Sequence, residues 1–276
     1  MSLADIKELR ELTGAGLSTV KKALEEANGD KEEAMKIIRL AGQQKVSKRE
    51  GRSANAGLIV AKVIEDGTTK TGIMIEINSE TDFVAKNQKF IDFADQVMDA
   101  ALASQAGTLA ELLAAAAGEE SVKDLVESMG ALVGEKVEVS KLTRISGDDV
   151  SLYLHRSNPD LPPQIGVMVA TDAAASGVAH DIALHIAFAN PEYLDRDSVP
   201  AEVLDKEKTQ LEEITRAEGK PEKMLDKIVA GRLTGFYKEV VLLDQPFSKD
   251  PKTTIGKMVE ATGGKVLGFA RFHVGA

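Results

Sequence analysis

The residue types that carry chemistry are present in this chain, but not at spacings that assemble a reaction centre. Cysteine is absent, which excludes a thiolate nucleophile, a thiolate zinc site and a disulfide frame. The four histidines are His155, His180, His185 and His273. His180 and His185 stand about 140° apart around a helix, so their rings do not converge on one metal. No HExxH or GxSxG pattern occurs. A phosphate-cradling loop needs GxxxxGK followed by Ser or Thr; Gly263-Gly264-Lys265 runs into Val266 and precedes a strand. Gly14-Ala15-Gly16 lacks the third glycine of a dinucleotide loop and follows a helix, so it reads as a turn. The carboxylate pairs Glu25-Glu26, Glu32-Glu33 and Glu212-Glu213 fall in helical patterns and read as solvated faces.

Phe83 is the residue that stands out. It interrupts a polar stretch, between Thr81-Asp82 and Lys86-Asn87. Its seven-residue spacing to Phe90 and Val97 fits one buried helical face, with Asp82 as the cap. The competing reading is an aromatic wedge displayed beside a carboxylate, ready to enter another protein, because aromatic anchors dominate interface hot spots. Periodicity alone leaves both open.

The elements that must position these residues follow from length and pattern. At roughly 100–200 residues per domain, 276 residues suggest two or three domains. Hydrophobic residues make up 43% and charged residues 28%, which fits a folded soluble chain rather than a disordered one. No apolar run reaches the roughly 18 residues of a spanning helix, and the charged start Met1-Ser-Leu-Ala-Asp-Ile-Lys-Glu does not resemble a signal peptide. No membrane association is expected, and a reducing cytoplasm is the expected compartment. A net charge of −10, no tryptophan, eight Phe and three Tyr disfavour direct nucleic-acid binding, which wants basic grooves and stacking rings.

Residues 1–42 read as a three-helix domain. Ile6, Leu9 and Leu12 recur at helical spacing and stop at Thr13-Gly14-Ala15-Gly16. Ser18 offers a cap for a helix burying Val20, Ala23, Leu24 and Ala27, which Gly29 ends. Asp30 and Glu33 resemble a capping box before Ala34, Ile37, Ile38 and Ala41. Residues 43–56, with Lys45, Lys48, Arg49 and Arg52, read as a solvated linker.

The remainder carries a diverged duplication, giving two core subdomains over 57–147 and 148–276. GLIVAKVI, a turn at Asp66-Gly67, and TGIMIEIN read as a hairpin; SLYLH, a turn region from Ser157 to Pro163, and IGVMVAT repeat it. An apolar helix follows each hairpin, and KVEVSKLTRI or KVLGFARFHV closes each half. From Gly72 to Asp95 is 23 positions, and from the matching Gly166 to Asp181 only 15. The first half therefore carries eight extra residues, in the segment that holds Phe83. The second half has a different insertion over 200–237, a helical hairpin projecting roughly 20–25 Å. The predicted class is α+β, with small antiparallel sheets covered by helices.

Four separated motifs resemble the bacterial elongation factor Ts family, in order, from about residue 4 to the end. They are Thr81-Asp82-Phe83-Val84-Ala85-Lys86-Asn87, Leu9 to Gly16 with Lys21-Lys22-Ala23-Leu24, His180-Asp181-Ile182-Ala183-Leu184-His185, and Gln245-Pro246-Phe247. The resemblance implies a guanine-nucleotide exchange factor that binds elongation factor Tu, both GDP-bound and nucleotide-free. It implies ubiquitin-associated-like N-terminal helices docking through Arg10, Leu17, Lys21 and Lys22. Asp82 and Phe83, on a turn shaped by Thr81 and Val84, would disturb the partner's magnesium and phosphate site. The second core half, through His180 and His185, would touch a more distant domain.

The magnesium belongs to the partner, and neither a cofactor nor a metal of this chain's own is implied. Leu17 has a second reading, as a staple of the small domain's own core. The family varies in how its complexes pair, so a higher-order complex stays open. Some members continue past the last strand with another helix; here the sequence ends at Val274-Gly275-Ala276, and that helix contact is not expected. The competing readings are a two-lobed enzyme with its active site between the halves, and a non-exchange adaptor.

Overall fold

Two apolar runs, Gly72 to Ile75 and Gly166 to Ala170, organise the fold, because a strand apolar on both faces must be covered on both. The computed structural model describes residues 5–9, 17–46 and 51–276. Each run is the middle strand of a three-stranded antiparallel sheet. In the first, β1 (Ala56–Asp66), β2 (Thr69–Ser79) and β5 (Val137–Gly147) lie in the order β1-β2-β5. In the second, β6 (Asp149–His155), β7 (Ile165–Thr171) and β10 (Val266–His273) lie in the order β10-β7-β6. The class is α+β. Each sheet is a hairpin whose second strand also pairs with the strand that closes its half.

Helices cover one face of each sheet. Over the first lie α5 (Gln88–Ser104), α6 (Leu109–Ala114) and α7 (Val122–Val133), where Phe90, Phe93, Val97 and Met98 meet Ile73, Ile75 and Ile77. Over the second lie α8 (Ser176–Ala189) and α11 (Ile255–Glu260), where Ile182, Ala183, Ile186 and Ile255 meet Val167 and Val169. Two-stranded ladders precede α7 and α11: β3 (Ala116–Ala117) with β4 (Glu120–Ser121), and β8 (Pro246–Phe247) with β9 (Asp250–Thr254). Ser121 and Thr254 cap those helices by accepting from Asp124 N and Lys257 N.

The opposite faces of the two sheets pack on each other. Ile59 and Met74 from one meet Val150, Met168 and Ala170 from the other. A Cβ on Gly72 would lie 2.7 Å from Met168 Sδ and 2.8 Å from Val150 Cγ1. A Cβ on Gly166 would lie 2.5 Å from Met74 Sδ and 2.8 Å from Ile59 Cγ2. Each glycine thus receives the methionine of the other half. This apolar packing fills the space in which an inter-lobe active site would have to lie.

Two additions sit outside the duplicated plan. Between β2 and α5 stands a single turn, α4 (Asp82–Ala85). After α8 come α9 (Ala201–Ala217) and α10 (Leu225–Val240), a helical hairpin that closes on Leu225, Val229 and Leu233 with Leu204 and Leu211. At 1.5 Å per residue, α9 is about 25 Å long.

Ahead of the core, residues 5–9 are helical (α1), followed by α2 (Leu17–Glu26) and α3 (Lys31–Val46). Leu9, Val20, Ala23, Leu24, Ala27 and Ala34 form their small core. Gly29, at φ 88°, ends α2, and Asp30 Oδ1 accepts from Glu33 N at 3.0 Å. Two local expectations differ. Ser18 lies inside α2 rather than capping it, and α3 runs to Val46, into the stretch read as linker. Arg10, the turn at 13–16, Lys48 and Arg49 lie outside the described residues. Among the described residues no helix is long and apolar enough to cross a membrane.

Candidate partner-docking site

The eight-residue insertion folds as a turn that hides its small apolar residues and displays its aromatic one. Val84 is 9% exposed, joining the first core, and Ala85 is buried as well. Phe83 is 72% exposed. Phe90 and Val97 are both fully buried, so the seven-residue spacing does not put Phe83 on their face. The cause is a break between α4 and α5. Lys86 closes α4 with its N–H on Asp82 O, and Asn87 starts α5 by accepting from Lys89 N at 2.9 Å. Asp82 is the first helical residue, exposed beside Phe83, and the capping position belongs to Thr81. Lys86 Nζ lies 4.7 Å from the centre of the Phe83 ring, a cation–π contact that leaves the other ring face open.

The base of this turn is pinned at every polar atom of Thr81. Its N–H donates to Glu135 Oε2 at 3.0 Å and its hydroxyl to Glu135 Oε1 at 2.7 Å. Its carbonyl accepts from Ser79 Oγ at 2.9 Å. One residue back, the Glu80 carboxylate accepts from Lys136 N at 2.6 Å and from Arg52 Nη1 at 3.1 Å.

Leu17 is 55% exposed, so it is not a staple of its own small core. Lys21 and Lys22 are exposed on the same helix, 4.0 Å and 3.9 Å from Glu25 and Glu26; exposed pairs of this kind hold their partners weakly. On α8, His180 is exposed and lies edge-on to Tyr153, with ring centres 6.3 Å apart.

A family model described as "Elongation factor TS" matches residues 80–276. A protein of Beutenbergia cavernae named elongation factor Ts is 54% identical over 275 residues, covering 99% of this chain and 98% of its own length. Its namesake in Micrococcus luteus is also 54% identical, with the same coverage of both chains. That of Renibacterium salmoninarum is 51% identical over 276 residues, again covering 99% and 98%. The chain belongs to the elongation factor Ts family. It is a translation elongation factor, and the family match begins at Glu80, at the base of the Phe83 turn.

Within this chain the expected site residues do not form one cluster. Thr81, Asp82, Phe83 and Val84 share a turn, Leu17, Lys21 and Lys22 share a helix of the N-terminal unit, and His180 stands on α8. His185 requires a correction. It is 3% exposed, its Nε2 bonds Gln245 Oε1 at 2.8 Å, and Ser248 N–H donates to its Nδ1 at 3.3 Å. Its five-residue step from His180 turns it inward, so it organises the second core and presents nothing to a partner. Desolvation pushes its pKa below the usual histidine value, against a smaller upward effect of Gln245. Gln245 and Phe247 of the Gln245-Pro246-Phe247 motif are likewise internal: both are buried, and the Phe247 ring lies 6.2 Å from His185, while Pro246 is exposed.

Two residues escaped the sequence reading. Phe188 is 85% exposed; its signal was the step of eight residues, through Leu184, from His180 on the outer face of α8. Glu135 gave no signal, since nothing in a helix-to-strand junction announces that a carboxylate reaches back 54 residues.

Proposed function

We propose that this chain is the guanine-nucleotide exchange factor of elongation factor Tu, and that the α4 turn is its working part. The exposure of Phe83 on a pinned turn carries this reading. The N-terminal unit docks on the partner's nucleotide-binding domain through Leu17, Lys21, Lys22 and Arg10, and the outer face of α8, with His180 and Phe188, touches a more distant domain. Asp82 and Phe83 then enter beside the partner's magnesium and phosphate site and disturb the contacts that hold the metal. The magnesium is the partner's; this chain supplies shape, an apolar ring and a carboxylate.

The energetics are those of linked equilibria. A factor that binds the nucleotide-free partner more tightly than the GDP-bound one weakens GDP by the same ratio. One that binds both equally shifts nothing. Phe83 provides the difference, because its ring is buried only against a partner whose site has opened. Full burial of such a side chain is worth about 1.5–3 kcal/mol.

Phe83→Ala is therefore expected to slow GDP release by about ten- to a hundredfold while the chain stays folded. Stopped-flow release of a fluorescent GDP from elongation factor Tu measures it. An unchanged rate with intact circular dichroism rejects the wedge.

A further inference from the structure

We propose that Glu135 is a positioning residue for nucleotide exchange, the centre of a clasp that sets the angle at which Phe83 is presented. The inference rests on the reading of Phe83 as the wedge. Two segments of the first core half exchange carboxylates. Glu135, just past the left-handed Gly134 (φ 80°) that ends α7, takes both the N–H and the hydroxyl of Thr81. Glu80, just before Thr81, takes the N–H of Lys136. Each segment thus holds the other's backbone through a carboxylate acceptor. Arg52 contacts both oxygens of Glu80 at 3.1 Å and 3.2 Å, which joins the segment entering β1 to the same clasp.

The chemistry at Thr81 argues that this is more than ordinary helix capping. A threonine before a helix ordinarily accepts from a backbone N–H of the first turn. Thr81 makes no such bond; its hydroxyl donates to Glu135 instead. The first turn of α4 is fixed from outside, by a group on another element. A turn of four residues has no stability of its own, so its direction depends on what holds it. Val84 and Ala85 anchor one side in the core, and Glu135 anchors the other. Phe83, between them, touches Lys86 within its own turn and is free to project. Precise presentation matters, because a misplacement of about 1 Å in a working group can cost about a hundredfold in rate.

The test separates presentation from docking. At saturating factor, Glu135→Ala should lower the maximal rate of fluorescent-GDP release from the partner GTPase about tenfold, equivalent to about 1.4 kcal/mol of barrier. The half-saturating concentration should change by less than about threefold, since both carboxylate oxygens are engaged by Thr81 within the chain. Combined with Phe83→Ala, the Glu135 change should cost nothing further, because a clasp without a wedge has nothing to aim.

A second readout needs no partner. The chain has no tryptophan, so Phe83→Trp introduces a single reporter, and adding Glu135→Ala should lower its fluorescence anisotropy in the free protein. Where the alanine variant does not fold, Glu135→Gln, which keeps one acceptor oxygen, carries the same comparison. If Phe83→Ala slows release while the Glu135 variant does not, or if the reporter's anisotropy is unchanged, the clasp is overturned and the wedge stands. If Phe83→Ala itself leaves release unchanged, the wedge reading falls, and the clasp with it.

Discussion

The two core halves are built on one plan and differ where each has been given something to do. Both run hairpin, helix, a short helical segment (α6 in the first, Leu242–Asp244 in the second), short ladder, helix and closing strand, and both pair the closing strand with the hairpin's second strand. The correspondence reaches single side chains. Met74 fills the space at Gly166 as Met168 fills that at Gly72. Arg144 and Arg271 pair across their sheets with Ile73 and Val167, each the residue after the corresponding glycine. Both guanidiniums point at carbonyls near the end of the covering helix. The additions are asymmetric: the first half interposes α4 before its helix, and the second adds α9 and α10 after its own. Buried polarity is asymmetric too. Glu76 pairs with Lys141 at 3.0 Å and accepts from Gly275 N at 3.1 Å, whereas the matching position is Ala170. A duplicated scaffold keeps its mutual interface and diversifies at the loops, which lie clear of that interface.

The hardest way to break this comparison is to fill the reciprocal glycine sites. Gly72→Ala and Gly166→Ala should each destabilise the chain by about 1–3 kcal/mol, the cost of overpacking a filled core. Each should be partly rescued by shortening the methionine opposite, Met168→Ala for the first and Met74→Ala for the second. Urea denaturation of the singles and doubles checks it. If either glycine accepts a methyl group without loss, the two-fold packing is looser than the atomic positions imply.

The duplication was legible because it rests on patterns that sequence displays: alternation in the strands, glycine at Asp66-Gly67, and a repeated order of elements. The α+β class and the extra residues around Phe83 followed from the same patterns. What could not be read was direction. Phe83, Phe90 and Val97 fit one helical stripe until a cap at Asn87 is seen to divide the helix, and a cap is a hydrogen bond rather than a period. The five-residue step sets His180 and His185 about 140° apart, but does not say which of them faces solvent; it is His185 that lies beneath Gln245. Glu135 was silent for a similar reason. Its partner lies 54 residues away, and no local rule links a helix-to-strand junction to the base of a turn.

A smaller effect sharpens the comparison at the paired arginines. Arg144 Nη1 donates to Ala106 O at 3.1 Å and to Ala101 O at 3.4 Å, satisfying carbonyls around the end of α5. Arg271 reaches one carbonyl, Ala187 O at 3.4 Å, while its Nε is buried without a partner. Burial pushes the Arg271 pKa down, the sign of a cation held where water cannot fully solvate it. Arg144→Met should therefore cost about 1 kcal/mol, and Arg271→Met close to nothing. Thermal unfolding of the two variants decides it; equal losses would mean that the two arginines still do the same work.

The smallest effect concerns pH, and it belongs to one half alone, since all four histidines follow residue 148. His185 accepts at Nδ1 from the Ser248 N–H and faces the oxygen of Gln245 with Nε2, an arrangement that suits the neutral ring with its proton on Nε2. Protonating Nδ1 would set an N–H against an N–H in a desolvated place. The folded pKa therefore lies below the unfolded value of 6.5, and the unfolded chain takes up the proton first. Stability from this group is complete above pH 6.5, declines as pH falls below it, and stops changing once the folded pKa has been passed. Between about pH 7.5 and 5.5, a window that spans the unfolded value, the wild-type urea midpoint should fall more steeply than that of His185→Gln, which cannot titrate. Parallel slopes would show that the ring is already solvated in the folded chain, and would return His185 to the surface where the family resemblance had put it.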